Sequence, residues 1–458
     1  MIPVKVFGGA VPSRSKPVST STPLNMFMIQ ADSDRAPIGA YSWPGYKAFA
    51  DTLGGIDRGM TEFNGVLYKV SGSEFRSIAS DGTSTLIGTI DGTKPCYFAN
   101  NFGVLAIVSD GNGYYYDGTT LSEITDVDLN QPVSVAMLNN YYIYAGQNND
   151  FVVSDFATPE SIPTNYVANA ESDGDELLRV YVFQERAYMF GTRTIEPWYF
   201  TGIGEPPVAR ETGGVISRGL SARGSIANNH EFVFFLGSDN NAYKLSGYQI
   251  MPMLNPQMSK IFEDYTVSDA RGYFIRQSGQ GFYMLHFPTE EKTWAIQIDT
   301  GWAYEISNQA TSYLFIYGKH LVAVGEKILE MDSDTYTDDG QSYAREVTLG
   351  PITAQSLSGD LIGRRIFIRK LRLAVETGVS LINGEGSDSD IICSISSDGG
   401  RTFTEQRQIG LGVLGDYLKD VEYNVLKKGL DFQIKLRVTD PIGFTLHNAY
   451  ADITLAGY

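Results

Sequence analysis

The 458 residues would suit about three ordinary domains, but 48 glycines and 12 % aromatic residues suit many tight turns and flat strands. A formal charge of −18, from 35 basic and 53 acidic residues, excludes tight sequence-independent DNA binding, which needs clustered Lys and Arg against phosphates. Two distant cysteines, Cys96 and Cys393, exclude a disulfide framework or a zinc site, and no stretch nears the roughly 18 apolar residues of a membrane helix.

The opening stretch MIPVKVFGGAVPSRSKPV holds no apolar run long enough for a secretory signal, so a soluble protein is expected. Residues 1–57 read as an extended arm and lead-in. Pro3, Pro12, Pro17, Pro23 and Pro37 remove donors and fix φ. Within the arm, Leu24–Ile29 is apolar enough to dock on the body or on a neighbour, and Trp43-Pro44-Gly45 reads as a turn.

Gly59–Ile90 is the unit around which the chain is organised. It reads as four short strands, Gly59–Phe63, Val66–Ser71, Glu74–Ala79 and Thr85–Ile90, joined by turns at Asn64-Gly65, Gly72-Ser73 and Asp81-Gly82. Asn-Gly favours the positive φ that a two-residue hairpin turn requires. The same pattern, a strand, a polar turn and an aromatic-rich strand, returns near Asn101, Asn140, Glu185, Asn229, Gln280 and Lys319. Repeats of about 40–50 residues with four strands each predict a β-propeller over 58–341, of six or seven blades. The alternative is a sandwich of look-alike hairpins. One helix is predicted over Asn255–Thr266: Asn255 as N-cap, Pro256 at the first helical position, and Met258, Ile261, Phe262 and Tyr265 on one apolar face.

After Gln341 the strands lengthen. In Asp431–Val438, Phe432, Ile434, Leu436 and Val438 alternate with polar residues, as in a half-buried antiparallel strand. Residues 342–458 are therefore expected to form a β-sandwich that unfolds as a body separate from the propeller. The whole chain is thus read as all-β.

Few residues suggest chemistry. Ser396, Asp398, Gly400, Thr402 and Phe403 fit the Asp-box turn of sialidases and other propeller glycosidases. The box is a structural hairpin in which Asp398 accepts backbone N–H bonds, and here it occurs once, outside the repeats. Asp332–Gly340 fails the calcium-loop pattern at Tyr336 and Thr337 and reads as a solvated acidic turn, like Glu171–Glu176. His230-Glu231 fails the zinc-protease pattern at Phe234, and neither a nucleophile elbow nor a phosphate loop is present. No catalytic, cofactor-binding or metal-binding residue is assigned. Arg364, Arg365, Arg369, Lys370 and Arg372 form the one basic cluster of an acidic chain. Strict alternation would place Lys370 and Arg372 on one strand face and Arg365 and Arg369 on the other. The cluster reads either as a solvated edge guarded against aggregation or as a contact for an acidic partner or DNA.

Several stretches, in order and spacing, resemble the tail hub or nozzle proteins of short-tailed bacteriophages, also called packaged-DNA-stabilisation proteins. They are Leu24-Asn25-Met26, Trp43-Pro44-Gly45, Asp57-Arg58-Gly59-Met60 with LYKVSG at 67–72, FGTRTIEPWYFTG at 190–202, 281–305, the Ser396–Phe403 turn and Leu436–Pro441. Val421–Gly429 departs from the pattern, with Tyr423 and Lys427-Lys428 in place of a Trp and an Arg-rich turn. The resemblance implies a non-enzymatic virion tail protein without cofactor, assembled in the host cytoplasm. It implies a homo-oligomer, a hexameric ring beneath the portal and its adaptor. That ring would continue the DNA channel, retain the genome without binding it tightly, and carry a needle or tail spikes, with no membrane insertion. The competing readings are a propeller glycoside hydrolase acting on host surface glycan and a cellular propeller scaffold.

Overall fold

A computed structural model describes residues 1–4, 23–30, 38–50, 54–147, 149–170 and 174–456. The proline-rich stretch 5–22 and residues 171–173 of the acidic turn lie outside them. Among the described residues there are seven blades. Six are four-stranded antiparallel meanders, spanning 57–89, 97–123, 134–169, 177–210, 227–252 and 271–306. The first matches the expected strands to within two residues: Asp57–Phe63, Val66–Ser71, Glu74–Ile78 and Ser84–Thr89.

The hairpin between the first and second strands is what makes the repeat visible in sequence. In five blades both turn residues have positive φ: Asn64-Gly65, Asn139-Asn140, Gln184-Glu185, Ser278-Gly279 and Tyr317-Gly318. The other two use an asparagine side chain instead. Asn101 Oδ1 accepts from the amides of Gly103 and Val104, and Asn229 Oδ1 from those of Glu231 and Phe232.

The seventh blade takes Ser312–Ile316, Lys319–Val324 and Lys327–Asp332 from the end of the propeller, and its next strand, Gly45–Ala50, from the lead-in. Gly45 pairs with Asp332 and Ala50 with Ile328, antiparallel. The ring of blades is thus closed by residues that precede blade 1. The lead-in is divided between the two units, because Met26–Gln30 and Ile38–Ser42 join the C-terminal sandwich. One sheet there runs Met26–Gln30, Ile38–Ser42, Thr445–Leu455, Ile366–Val375, Val421–Gly429, with Ile2–Pro3 also on Thr445–Leu455. The other runs Arg345–Thr353, Asp431–Val438, Asp390–Ser396, Thr404–Gly410.

The two units share a core. One apolar cluster contains Phe27, Met28 and Trp43 from the lead-in, Phe282, Met284 and Tyr304 from blade 6, and Ile368, Ile434 and Leu436 from the sandwich. Phe282 stands edge-on to Phe27 at 5.6 Å and to Trp43 at 5.2 Å. The apolar stretch at 24–29, expected to dock on the body or on a neighbour, packs where the sandwich meets the propeller.

First strands of most neighbouring blades touch along the inner side of the ring. Arg179 of blade 4 reaches past blade 3 to the Tyr97 ring of blade 2, 4.6 Å from its centroid, and lies 5.3 Å from Tyr181. Its guanidinium also donates to Arg223 O at 2.6 Å. Side chains of blades 2 and 4 therefore meet across blade 3 at this level.

The helix forms over Pro256–Glu263, with Asn255 Oδ1 accepting from Met258 N at 2.9 Å. It is three residues shorter than expected at its C-terminal end, where Asp264 caps it. Met258 and Phe262 are buried between blades 5 and 6. The acidic stretch 332–340 is not simply solvated. Asp332 takes Lys47 at 2.8 Å, Asp339 takes Lys327 at 2.5 Å, and Asp338 accepts from Asn308.

His286, on the second strand of blade 6, is 2 % exposed. Its Nδ1 lies 3.0 Å from Thr293 Oγ1, whose single hydrogen goes to Asn308 O at 2.7 Å. The ring therefore carries its hydrogen on Nδ1. Burial pushes the imidazole down to about 4. Between that value and roughly 6.5 the unfolded chain binds the extra proton, so stability falls as pH drops through this window and is unaffected above it. The expected loss is about 3 kcal/mol. In unfolding measured against pH, His286→Gln should remove that component of the slope.

Candidate partner-contact site

The basic cluster sits at the start of Ile366–Val375, an interior strand between Thr445–Leu455 and Val421–Gly429. The expected alternation is broken. The register shifts between Ile368 and Lys370 against both neighbours, and against Thr445–Leu455 the shift is a bulge that gives this strand one extra residue. Ile366, Ile368, Leu371 and Leu373 are all buried, so Arg365, Lys370 and Arg372 share the solvent side, and Arg369 is exposed in the bulge. Two positions of the cluster are paired on that side. Lys370 meets Glu422 at 2.5 Å, and Arg372 meets Asp420, with Glu422 at 4.0 Å. Arg364 and Arg365 lie beyond the strand end, both exposed.

The Asp-box turn closes the hairpin between Asp390–Ser396 and Thr404–Gly410. Asp398 Oδ1 accepts from Ser396 Oγ at 2.6 Å and from the amides of Arg401 and Thr402 at 3.1 and 3.0 Å. Oδ2 accepts from Thr402 Oγ1 at 2.7 Å. These donors, Ser396 first, hold the carboxyl well below the usual range. The Gly400 amide donates to Ser396 Oγ at 2.9 Å, and a Cβ at Gly400 would strike the buried Gln433 side chain. Phe403 is half-buried, with Lys435 Nζ 5.4 Å from its ring centroid.

The two features named from sequence meet at one end of the sandwich. A cleft of about 480 Å³ is lined by Arg365, Asp398, Arg401, Lys428, Leu430 and Asp431, among others. Arg401, Lys428 and Asp431 were not singled out from sequence. The signal for Lys428 is strand register, since it pairs with Phe367. Burial raises the Asp431 carboxyl above its ordinary value, so it gives up its proton less readily than a surface aspartate. The cleft therefore presents cations and aliphatic surface, with one of its carboxylates fully engaged by its own turn.

The opposite end of the sandwich differs. The segments 376–389 and 411–420 are tied together by Gly378 N to Leu411 O, Gly415 N to Gly378 O, and Ser380 Oγ to Gly412 O. They expose Ile382, Leu414, Tyr417 and Leu418. Among the described residues no group of three or more His, Cys, Asp or Glu gathers as a metal site, and both cysteines are buried and unbridged.

A family model described as bacteriophage P22 Gp10, beta-propeller, matches residues 2–310, and one described as bacteriophage P22 Gp10, beta-sandwich, matches residues 360–454. No individually curated protein sequence matches. Among solved structures, the chain is similar to the WD40 domain of Neurospora crassa Pan2, with 9 % identity and a TM-score of 0.43 over 66 % of this chain and 98 % of that one. It is also similar to BamB from Moraxella catarrhalis, with 9 % identity and a TM-score of 0.39 over 71 % and 98 % of the two chains.

Proposed function

This chain belongs to the bacteriophage P22 Gp10 family, structural proteins of a phage tail, and from that premise we propose that it forms the hub or nozzle ring of the tail. The ring continues the DNA channel below the portal and adaptor, retains the packaged genome, and carries a needle or spikes. It is assembled in the host cytoplasm from copies of this chain. The observation that supports the reading beyond the family is the close packing of the blades' first strands, across which Arg179 of blade 4 reaches the Tyr97 ring of blade 2. A duplex about 20 Å wide does not fit through a single propeller so packed, so the channel is the space enclosed by several copies. A charge of −18 on each copy repels the phosphates of DNA passing through, so retention rests on a constriction or plug rather than on adhesion. The glycosidase reading gains nothing from the Asp-box, since both Asp398 oxygens are engaged within the turn.

The test is electron microscopy of particles carrying a label on this chain, combined with duplex binding by the purified protein. Density is expected as a ring at the portal vertex, with no duplex binding at physiological salt. Label on the capsid faces or at spike tips would overturn the hub assignment. Micromolar duplex affinity that is lost in Arg365→Glu/Arg369→Glu would make the basic cluster a DNA clamp instead.

A further inference from the structure

The two ends of the sandwich are chemically opposite. The strand joining them, Ile366–Val375, is ten residues long, which sets the ends about 30 Å apart. One end presents the cleft with Arg365 and Arg401, flanked by the exposed aliphatic side chains of Ile362, Leu430 and Leu455. Leu455 pairs with Ile366, and Leu430 lines the cleft itself, so apolar and cationic groups are interleaved there. The other end presents Ile382, Leu414, Tyr417 and Leu418, with Leu418 95 % and Ile382 77 % exposed. Around them the segment 376–390 carries four carboxylates and no Lys or Arg, and the neighbouring loop adds the exposed Asp416 beside one half-buried lysine, Lys419.

Exposed apolar side chains so grouped mark an interaction surface. This one is preformed. Beyond the three hydrogen bonds that tie the loops, Gly378 adopts φ +73°, and a Cβ there would meet Asp416 N at 2.8 Å and Tyr417 at 3.0 Å. The loops are packed too closely to be a floppy tether.

We propose that the sandwich ends join neighbouring copies of this chain head to tail, the cationic-aliphatic end of one docking on the acidic-apolar end of the next. The inference rests on the ring reading above and names the surface that would build the ring. Each end carries the complement of the other in both charge and hydrophobicity. Pairing like ends would oppose an excess of charge of one sign, so the contact is heterologous, and a heterologous contact that closes makes a ring. DNA is a poor occupant of the cationic end. It has no use for Ile362, Leu430 and Leu455, and the chain as a whole repels it.

The experiment uses the full chain and reads its assembled mass by sedimentation and native mass spectrometry, with thermal unfolding as the folding control. Arg365→Glu/Arg401→Glu and, separately, Asp388→Lys/Asp416→Lys should each weaken association at least about tenfold and leave unfolding near wild type. Mixing the two variants restores complementary ends, so assembly should return as alternating rings. A single chain carrying all four substitutions should also assemble. A wild-type ring that neither double variant disturbs, or two dissociated variants that stay apart on mixing, overturns this contact and leaves the ring reading intact. A monomeric wild-type chain overturns both.

Discussion

Arg58→Ala is expected to destabilise the protein by about 4–5 kcal/mol, among the largest effects of any single substitution in this chain. Arg58 is 2 % exposed. Its Nε donates to Lys94 O, Nη1 to Gly72 O and Ile90 O, and Nη2 to Asp91 O and Ser109 Oγ, each at 2.8 Å. All five N–H groups are thus used, and four of the acceptors are backbone carbonyls at the junction of blades 1 and 2. Removing the side chain takes the guanidinium donor from the carbonyls of Gly72, Ile90 and Asp91, leaves Lys94 O only its bond from Ser109 Oγ, and opens a cavity. Arg58→Lys should recover little, because an ammonium has three donors and no planar fork. Denaturant unfolding of both variants checks this. A loss below about 1 kcal/mol for Ala would mean that water replaces the guanidinium.

The second large effect is at the seam where the ring of blades closes. Asp57 Oδ2 accepts from Thr311 Oγ1 and Ser312 Oγ of blade 7, both at 2.7 Å, and Oδ1 lies 3.8 Å from Lys69 Nζ. Both charged side chains are almost wholly buried, at 2 % and 1 % exposure. Burial pulls the Lys69 ammonium below its ordinary value, and Asp57 is the chief group opposing that shift. Asp57→Ala removes the carboxylate facing the buried Lys69, which keeps only Lys327 O at 3.5 Å, and takes the acceptor from Ser312 Oγ, with an expected cost of about 3–5 kcal/mol. Adding Lys69→Met should recover much of it, since an apolar side chain replaces the unpaired charge. A double variant no more stable than Asp57→Ala would show that the hydroxyl contacts, not the ion pair, hold the seam.

These two residues explain why particular stretches carried the family resemblance. Asp57 bonds blade 7 and Arg58 bonds blade 2. Gly59 has φ +147°, where a Cβ would meet the Phe98 ring at 2.8 Å and Cys96 O at 3.1 Å. In the LYKVSG stretch, Lys69 pairs with Asp57, and Gly72, at φ +56°, offers its carbonyl to Arg58. Two motifs that look independent in the chain form one device in the fold. The repeat was legible because the hairpin turns follow local chemistry, either a pair with positive φ or an asparagine that bonds its own loop. The helix start was legible from Asn255 and Pro256 for the same reason.

What stayed hidden depended on distant register. Nothing local in Gly45–Ala50 says that it pairs with Lys327–Asp332, or in Met26–Gln30 that it enters a sheet with Thr445–Leu455. The bulge at Arg369 reverses the parity of every later side chain on its strand, and only the paired neighbours reveal it. The Asp-box and the basic cluster were each visible from sequence. Their meeting in one cleft with Arg401 and Lys428 was not, because the residues come from three separate segments.

The early strands also impose an order of events during synthesis. Blade 1 has its four strands as soon as residue 89 is available, and blades 2 to 6 come in turn. Gly45–Ala50 must wait for Lys327–Asp332, and Ile38–Ser42 for Thr445–Leu455. At bacterial elongation rates of roughly 5–20 residues per second, that wait is on the order of tens of seconds. Throughout it, strands with unpaired edges and the side chains of Phe27 and Trp43 have no partner surface. The nascent chain is therefore most vulnerable to mispairing at these lead-in strands. The propeller can close once Lys327–Asp332 has been made, whereas the sandwich must wait for Thr445–Leu455.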